Sequence, residues 1–484
     1  MGSPESRPLG IPGANLLSVS STGELAILLK KTNLFGTVGT GTLARVPLTG
    51  GTPRQVLDEA SAADWSPDGS QLAVLRRLEG NDVLEWPIGK SLAHGEGLTS
   101  LRMSPDGGMV AMIDGSQPPS IVTIDRAGKR GSLGRGFTYI DTIAWHPSGK
   151  EIWFDGVNAG ERGRSFVGVF AVDLAGRTRT ITETTDLEVL HDIARDGSAL
   201  VEREISTREI LFSSPESAVE RDLSWLDQSS VACLSADGKT LLFHEQGEGG
   251  GKNGSVYLRT TDGAPPVRLG DGAANDLSPD GRWVLTSTFT KDDVQPVLLP
   301  TAAGEPRPVP LDGYRVLAAA FVPPDGKRIA FVASEPGKGQ RGYVLDLAGG
   351  KPRPLTPEGM TDGVALSPDG KLIAWNDAKN QPTLYSFDGG EPRLIDGLEP
   401  GDVPIQWSAD GGSLYVTRRG EMPLRIQRYS FSTKTKTLWK ELLPDDRSGL
   451  VRIENVFVTP DGKHYAYSFS RVTNSDLYVV TGWK

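Results

Sequence analysis

Leu366-Ser367-Pro368-Asp369-Gly370-Lys371-Leu372-Ile373-Ala374-Trp375 holds a tight turn and the strand that leaves it. Proline presets φ at about −65° in the first central turn position, aspartate bonds backbone amides two residues on, and glycine takes the left-handed position. Beyond the turn Ile373 and Trp375 alternate with smaller or polar residues, and a period of two is a strand signal. The same arrangement recurs at Ser20–Gly23, Ser66–Gly69, Ser104–Gly107, His146–Gly149, Ala194–Gly197, Ser235–Gly238, Ser278–Gly281, Pro323–Gly326, Ser408–Gly411 and Thr459–Gly462, at spacings of 38 to 51 residues. A repeat of this length that fills the chain predicts an all-β fold, a β-propeller of about eleven four-stranded blades.

Each repeat reads as four short strands. In the ninth, a third strand follows at Thr383–Phe387, and the eighth shows the fourth at Pro352-Arg353-Pro354-Leu355 after the turn Ala348-Gly349-Gly350. Nine of the eleven turns carry Asp before Gly. A residue that nearly every repeat needs is explained by the turn rather than by metal binding or acid catalysis. The last repeat shows three strands, Glu454–Val458, His464–Ser468 and Asp476–Val480, while Ser6-Arg7-Pro8-Leu9 resembles a fourth. Residues 5–10 are therefore expected to close the last blade and remove an exposed sheet edge. The repeats occupy 1–484 as one large closed ring or as two tandem rings divided near the middle.

The 484 residues carry a net charge of −10 with both signs interspersed. Nucleic-acid surfaces show a basic balance or stripe, so nucleic acid is not an expected partner. No run of 18 apolar residues occurs, which leaves no expected membrane insertion by a helix. Met1–Gly10 lacks the apolar core of a signal peptide. The one cysteine, Cys233, cannot form an internal disulfide and reads as a small buried hydrophobe.

Catalytic motifs are missing. There is no Gly-x-Ser-x-Gly elbow, no Gly-x-x-x-x-Gly-Lys-Ser/Thr loop and no His-Glu-x-x-His. The five histidines do not fall at ligand spacing. The Gly-rich run Gly247–Gly254 lacks the following helix that a phosphate cradle needs and reads as a hairpin loop. No catalytic residue, metal or cofactor is expected. Function is expected instead on the loops between second and third strands, which vary most between repeats. Their basic residues Arg162, Arg164, Lys252, Arg341, Arg418 and Arg419 are the candidate binding residues.

The turn and its flanks resemble the repeat of TolB-type propellers, also found in the propellers of prolyl-oligopeptidase-like proteins. Gly13-Ala-Asn-Leu-Leu-Ser-Val-Ser-Ser-Thr-Gly-Glu24, Thr42–Leu48 and Ser475–Val480 resemble the sensor propellers that follow a membrane helix in some bacterial serine/threonine kinases. That resemblance implies an extracytoplasmic sensor region. The chain is expected to be a non-enzymatic propeller that binds a protein, peptide or small ligand. The alternative is a hydrolase or lyase with its site in a central channel.

Overall fold

In the computed structural model the described residues are 9–29, 39–78, 81–116, 118–134, 136–158, 166–184, 188–251, 253–289, 294–335, 338–360 and 364–483. Their strands pair antiparallel, with one parallel bridge between Arg208 and Gln228 and one helical turn at Gly247–Gly250, which lies inside the run read above as a hairpin loop. The chain divides into two compact units, one of residues 1–205 with 474–484 and the other of residues 206–473.

The first unit begins with sheet A (Asn15–Val19, Glu24–Leu29, Gly41–Pro47) and sheet B (Leu72–Leu78, Asn81–Glu85, Ser91–Gly95). The strand Arg54–Trp65 belongs to both, pairing with A up to Ala60 and with B from there on. Sheet C follows (Leu98–Met103, Met109–Asp114, Ser120–Asp125, Arg130–Leu133), then sheet D (Phe137–Trp145, Glu151–Asn158, Phe166–Asp173, Thr178–Thr184). Sheet E joins Glu188–Ile193 to the start of the long strand Ala199–Ser213 and the end of the long strand Tyr465–Val480.

In the second unit sheet F holds Ser229–Leu234, Thr240–Glu245, Ser255–Thr260 and Val267–Asp271. Sheet G holds Ala273–Leu277, Trp283–Phe289, Val294–Pro300 and Arg307–Pro308. Sheet H holds Arg315–Phe321, Arg328–Ser334, Arg341–Asp346 and Arg353–Glu358. Sheet I holds Val364–Leu366, Leu372–Asn376, Pro382–Ser386 and Arg393–Leu394. Sheet J holds Asp402–Trp407, Ser413–Arg418, Leu424–Ser430 and Thr435–Leu442. Sheet K combines Leu450–Val458 with the start of Tyr465–Val480, the end of Ala199–Ser213 and Arg221–Asp222. Its leading strand lies against the leading strands of both F and J.

One feature of the C-terminal end differs from the expected one, and the expected N-terminal strand falls mainly outside the described residues. Asp476–Val480 continues the strand begun at Tyr465 instead of forming a separate third strand. Of residues 5–10, residues 5–8 lie outside the described ones, and Leu9 and Gly10 belong to no strand.

Successive sheets bury apolar faces against each other. Ile373, Trp375, Tyr385 and Phe387 of sheet I and its turn pack on Val322, Ala330 and Val344 of sheet H. Each such fully buried side chain contributes roughly 1.5–3 kcal/mol of transfer free energy.

The turns are built alike. In the second, Gly69 N–H donates to Ser66 O at 2.7 Å, Ser66 Oγ donates to Asp68 Oδ1 at 2.5 Å and Gln71 N–H donates to Ser66 Oγ at 2.9 Å. Ser66 and the Ser70 amide lower the Asp68 carboxyl to about 2. The pattern repeats at Ser104, Ser235, Ser278, Ser367, Ser408 and Thr459.

The turn glycine also meets the neighbouring sheet. Gly370 has φ +66°, and a Cβ there would lie 1.9 Å from Pro323 O in the turn of sheet H. Gly197, at φ +84°, has nothing within 4 Å of the same point. Gly197→Ala therefore meets only the left-handed cost of about 1–2 kcal/mol. Gly370→Ala adds overpacking and should cost about 2–4 kcal/mol. Urea denaturation of the two variants checks this, and equal losses would contradict the contact between turns.

Candidate functional site

Asp64 and Asp276 occupy the same place in their repeats, two residues before the turn serine. Asp64 Oδ2 accepts Met103 N–H of the next sheet at 2.7 Å, and Asp276 Oδ2 accepts Phe321 N–H at 2.8 Å. They act as staples between leading strands. Burial raises the Asp276 carboxyl to about 6 against the pull of its bonds to Cys233 and the Phe321 amide. Burial, then the Asp276 charge, pushes the Cys233 thiol up, so it is not held as a thiolate nucleophile.

Other reactive side chains are also committed. Glu202 takes the Ser475 hydroxyl on one oxygen and pairs with His191 Nε2 at 2.7 Å on the other. The serine proton therefore points to a carboxylate and not to an imidazole, unlike a Ser–His catalytic pair. His244 is enclosed, and burial followed by the Arg208 charge lowers it to about 4. Among the described residues no cluster of three or more His, Cys, Asp or Glu is arranged to hold a metal ion. No helix there is long and apolar enough to cross a membrane.

Arg162, Arg164 and Lys252 lie outside the described residues. Arg341 opens a strand of sheet H, half-buried, with Nε donating to Thr356 O. Arg418 ends a strand of sheet J, and Arg419 follows it in the turn. Arg418 Nε donates to Asp402 Oδ1 at 2.8 Å, and Nη2 reaches Glu399 Oε2 at 2.5 Å. Lys436 Nζ donates to Asp402 Oδ2 at 2.7 Å. Asp402 is only 2% exposed. Burial alone would raise its carboxyl, but the Glu399 amide, Lys436 and Arg418 together hold it below its usual range. With Glu421 and Arg425 these residues line a polar cup of ≈ 230 Å³. Arg341 and Arg418 thus serve separate sheets, and the charge of Arg418 is neutralised within the cup.

A larger hollow of ≈ 490 Å³ opens between sheets G and H, on the side of the Asp-Gly turns. Its floor is apolar: Phe321, Val309 and Leu345 are buried there beside Leu298 and Leu347. Arg307 stacks on Trp283 with Cζ 4.3 Å from the ring centroid. Asp280, Asp325 and Asp346 stand on the rim, each bonded on Oδ1 by a backbone amide two residues on. Gly349 and Gly350 leave the approach open, with nothing within 4 Å of an added Cβ.

These sheets define an all-β protein of the β-propeller class. Solved structures similar to it include TolB from Agrobacterium tumefaciens, at 20% identity over 56% of this chain and 99% of that one, with a TM-score of 0.42. TolB from Acinetobacter baumannii matches at 16% identity over 69% and 80%, TM-score 0.29. The β-propeller domain of the Trilobed protease from Pyrococcus furiosus matches at 14% over 72% and 97%, TM-score 0.28. No protein-family model and no curated protein matches the sequence.

Two outcomes follow from this chemistry. Arg418→Ala leaves a buried carboxylate short of a partner and should cost about 1–2 kcal/mol in urea denaturation. The exposed pair Arg425–Glu441 should cost about 0–1 kcal/mol on Arg425→Ala. A smaller loss at Arg418 than at Arg425 would show that Asp402 does not depend on it.

For Asp276 the folded value of about 6 lies above the ordinary carboxylate value of about 4. The folded protein then binds the extra proton between those values, and its stability falls as pH rises from about 4 to about 6. The stability of wild type relative to Asp276→Asn should drop across that interval, and a flat difference would contradict the raised value.

Proposed function

We propose that this chain is a non-enzymatic binding protein of two propeller rings, one of five blades (sheets A to E) and one of six (sheets F to K). The hollow between sheets G and H takes an extended segment of a protein or peptide. The observation that carries this reading is the combination of an apolar floor with a stacked Arg307–Trp283 pair and an acidic rim. An apolar pocket with a few convergent polar groups is the usual form of a binding site, and exposed arginine on an aromatic ring is a common anchor. The commitment of Cys233, His191 and Ser475 to internal bonds supports binding over catalysis. On the likeness of Gly13–Glu24 and Ser475–Val480 to kinase sensor propellers, the setting we propose is the extracytoplasmic sensor region of a bacterial signalling receptor.

Selection from a displayed peptide library, followed by anisotropy titration of the selected peptides, tests the site. Trp283→Ala and the exposed change Arg307→Glu should each weaken binding at least tenfold, while Arg425→Glu leaves it unchanged. Peptides indifferent to both groove variants would remove the groove assignment. Turnover of chromogenic ester or peptide substrates by the purified protein would overturn the non-enzymatic reading.

A further inference from the structure

Strand register sets four charges in a row across one face of sheet J. Asp402 pairs with Arg418, and Arg425 pairs with Glu441. Thr417 pairs with Ile426, so Arg418 and Arg425 stand directly opposite each other on neighbouring strands. Opposed residues share a face, and like charges placed this way are destabilising. Each arginine is answered on its far side. Arg418 Nε donates to Asp402 Oδ1 at 2.8 Å, and Arg425 Nε donates to Glu441 Oε1 at 3.0 Å. Nothing comparable stands between the two arginines, and both line the polar cup of ≈ 230 Å³.

The inner part of that cup is balanced. Asp402 and Glu399 answer Arg418 and Lys436, with Lys436 Nζ 2.7 Å from Asp402 Oδ2 and 3.9 Å from Glu399 Oε2. The outer part is not. Among the described residues, Arg418 Nη1 and both Nη groups of Arg425 take no acceptor. The half-buried side chains of Glu421 and Gln427 line the same cup, and neither bonds to a described residue. A phosphate would meet the Glu399 and Glu421 carboxylates, and a bare cation would meet the two guanidiniums. A molecule carrying one charge of each sign answers both. At about 30 Å³ per water the cup holds roughly eight waters, the bulk of a small amino acid. Val416 is its single apolar lining residue, which favours a polar side chain on the guest.

We propose that the cup of sheet J binds a free amino acid with a short polar side chain. The carboxylate of the guest lies between Arg418 and Arg425 and relieves their opposition, since guanidinium groups bind carboxylates through strong charge-assisted bonds. Its ammonium group meets Glu421, and its side chain meets the Gln427 amide. Asp402, 2% exposed, stays with Arg418 and Lys436 and fixes the inner wall. The cup shares no residue with the hollow between sheets G and H.

Calorimetric titration of the full chain with L-serine, L-threonine and L-asparagine in turn tests this. Saturable binding of at least one is expected. Its N-acetyl form lacks the ammonium charge and its α-amide lacks the carboxylate, so each should bind at least tenfold more weakly. Glu421→Gln and Arg425→Gln should each cost at least tenfold in affinity. Glu421 has no partner to lose and Arg425 only an exposed one, so their melting curves should match wild type. No saturable heat from any of the three amino acids would overturn the proposal. Equal binding of either capped form would overturn it as well, as would full binding by either variant. Loss of binding on Arg307→Glu would place the amino acid in the other hollow, again against the cup.

Discussion

Glycine pressed against the turn of the preceding sheet, at Gly69, Gly326 and Gly370 though not at Gly197, is the contact that sets the spacing of those sheets. A Cβ on Gly370 would strike Pro323 O, one on Gly326 would lie 2.8 Å from Pro279 Cδ, and one on Gly69 would lie 2.4 Å from Ser20 Oγ. The turn therefore works twice, once in reversing its own chain and once in setting how near the next sheet can come. With that spacing fixed, the carboxylates of Asp64 and Asp276 reach amides of the adjacent leading strand. The apolar faces of neighbouring sheets then meet at packing distance.

Much of this architecture could be read from residues alone. The turns stand where Ser-Pro-Asp-Gly and its variants predict them, because proline, aspartate and glycine each act within four residues. Third and fourth strands were equally legible at Arg341–Asp346 and Arg353–Glu358. Strand sharing was not. Arg54–Trp65, Ala199–Ser213 and Tyr465–Val480 run for 12, 15 and 16 residues. Reading Tyr465–Val480 as two strands assumed a break where the chain has none. No glycine or proline interrupts these three segments, and that uninterrupted length was the available signal.

The site was less legible, for a physical reason. Sequence shows which side chains carry charge but not which charges are already answered. Arg418 looked like a free loop cation, yet Asp402, sixteen residues earlier on the paired strand, and Glu399 engage it. Lys436 shares the same carboxylate from another strand. The stack of Arg307 on Trp283 was hidden because the two residues belong to different strands of one sheet. Asp64 and Asp276 did carry a local signal, an acid two residues before the turn serine, from which each side chain reaches an amide of the next sheet.

The two long strands have a consequence for synthesis. Residues 206–473 make up one compact unit without interruption, whereas the other is assembled from residues 1–205 and 474–484. Chains leave the ribosome from the N-terminus, and domains fold as their segments appear. The segment that starts second therefore holds all its strands first. The earlier unit waits with Glu188–Ile193 and the start of Ala199–Ser213 unaccompanied until Asn474–Val480 has been made. Translation order and completion order are inverted, so the first unit begun is the last one finished.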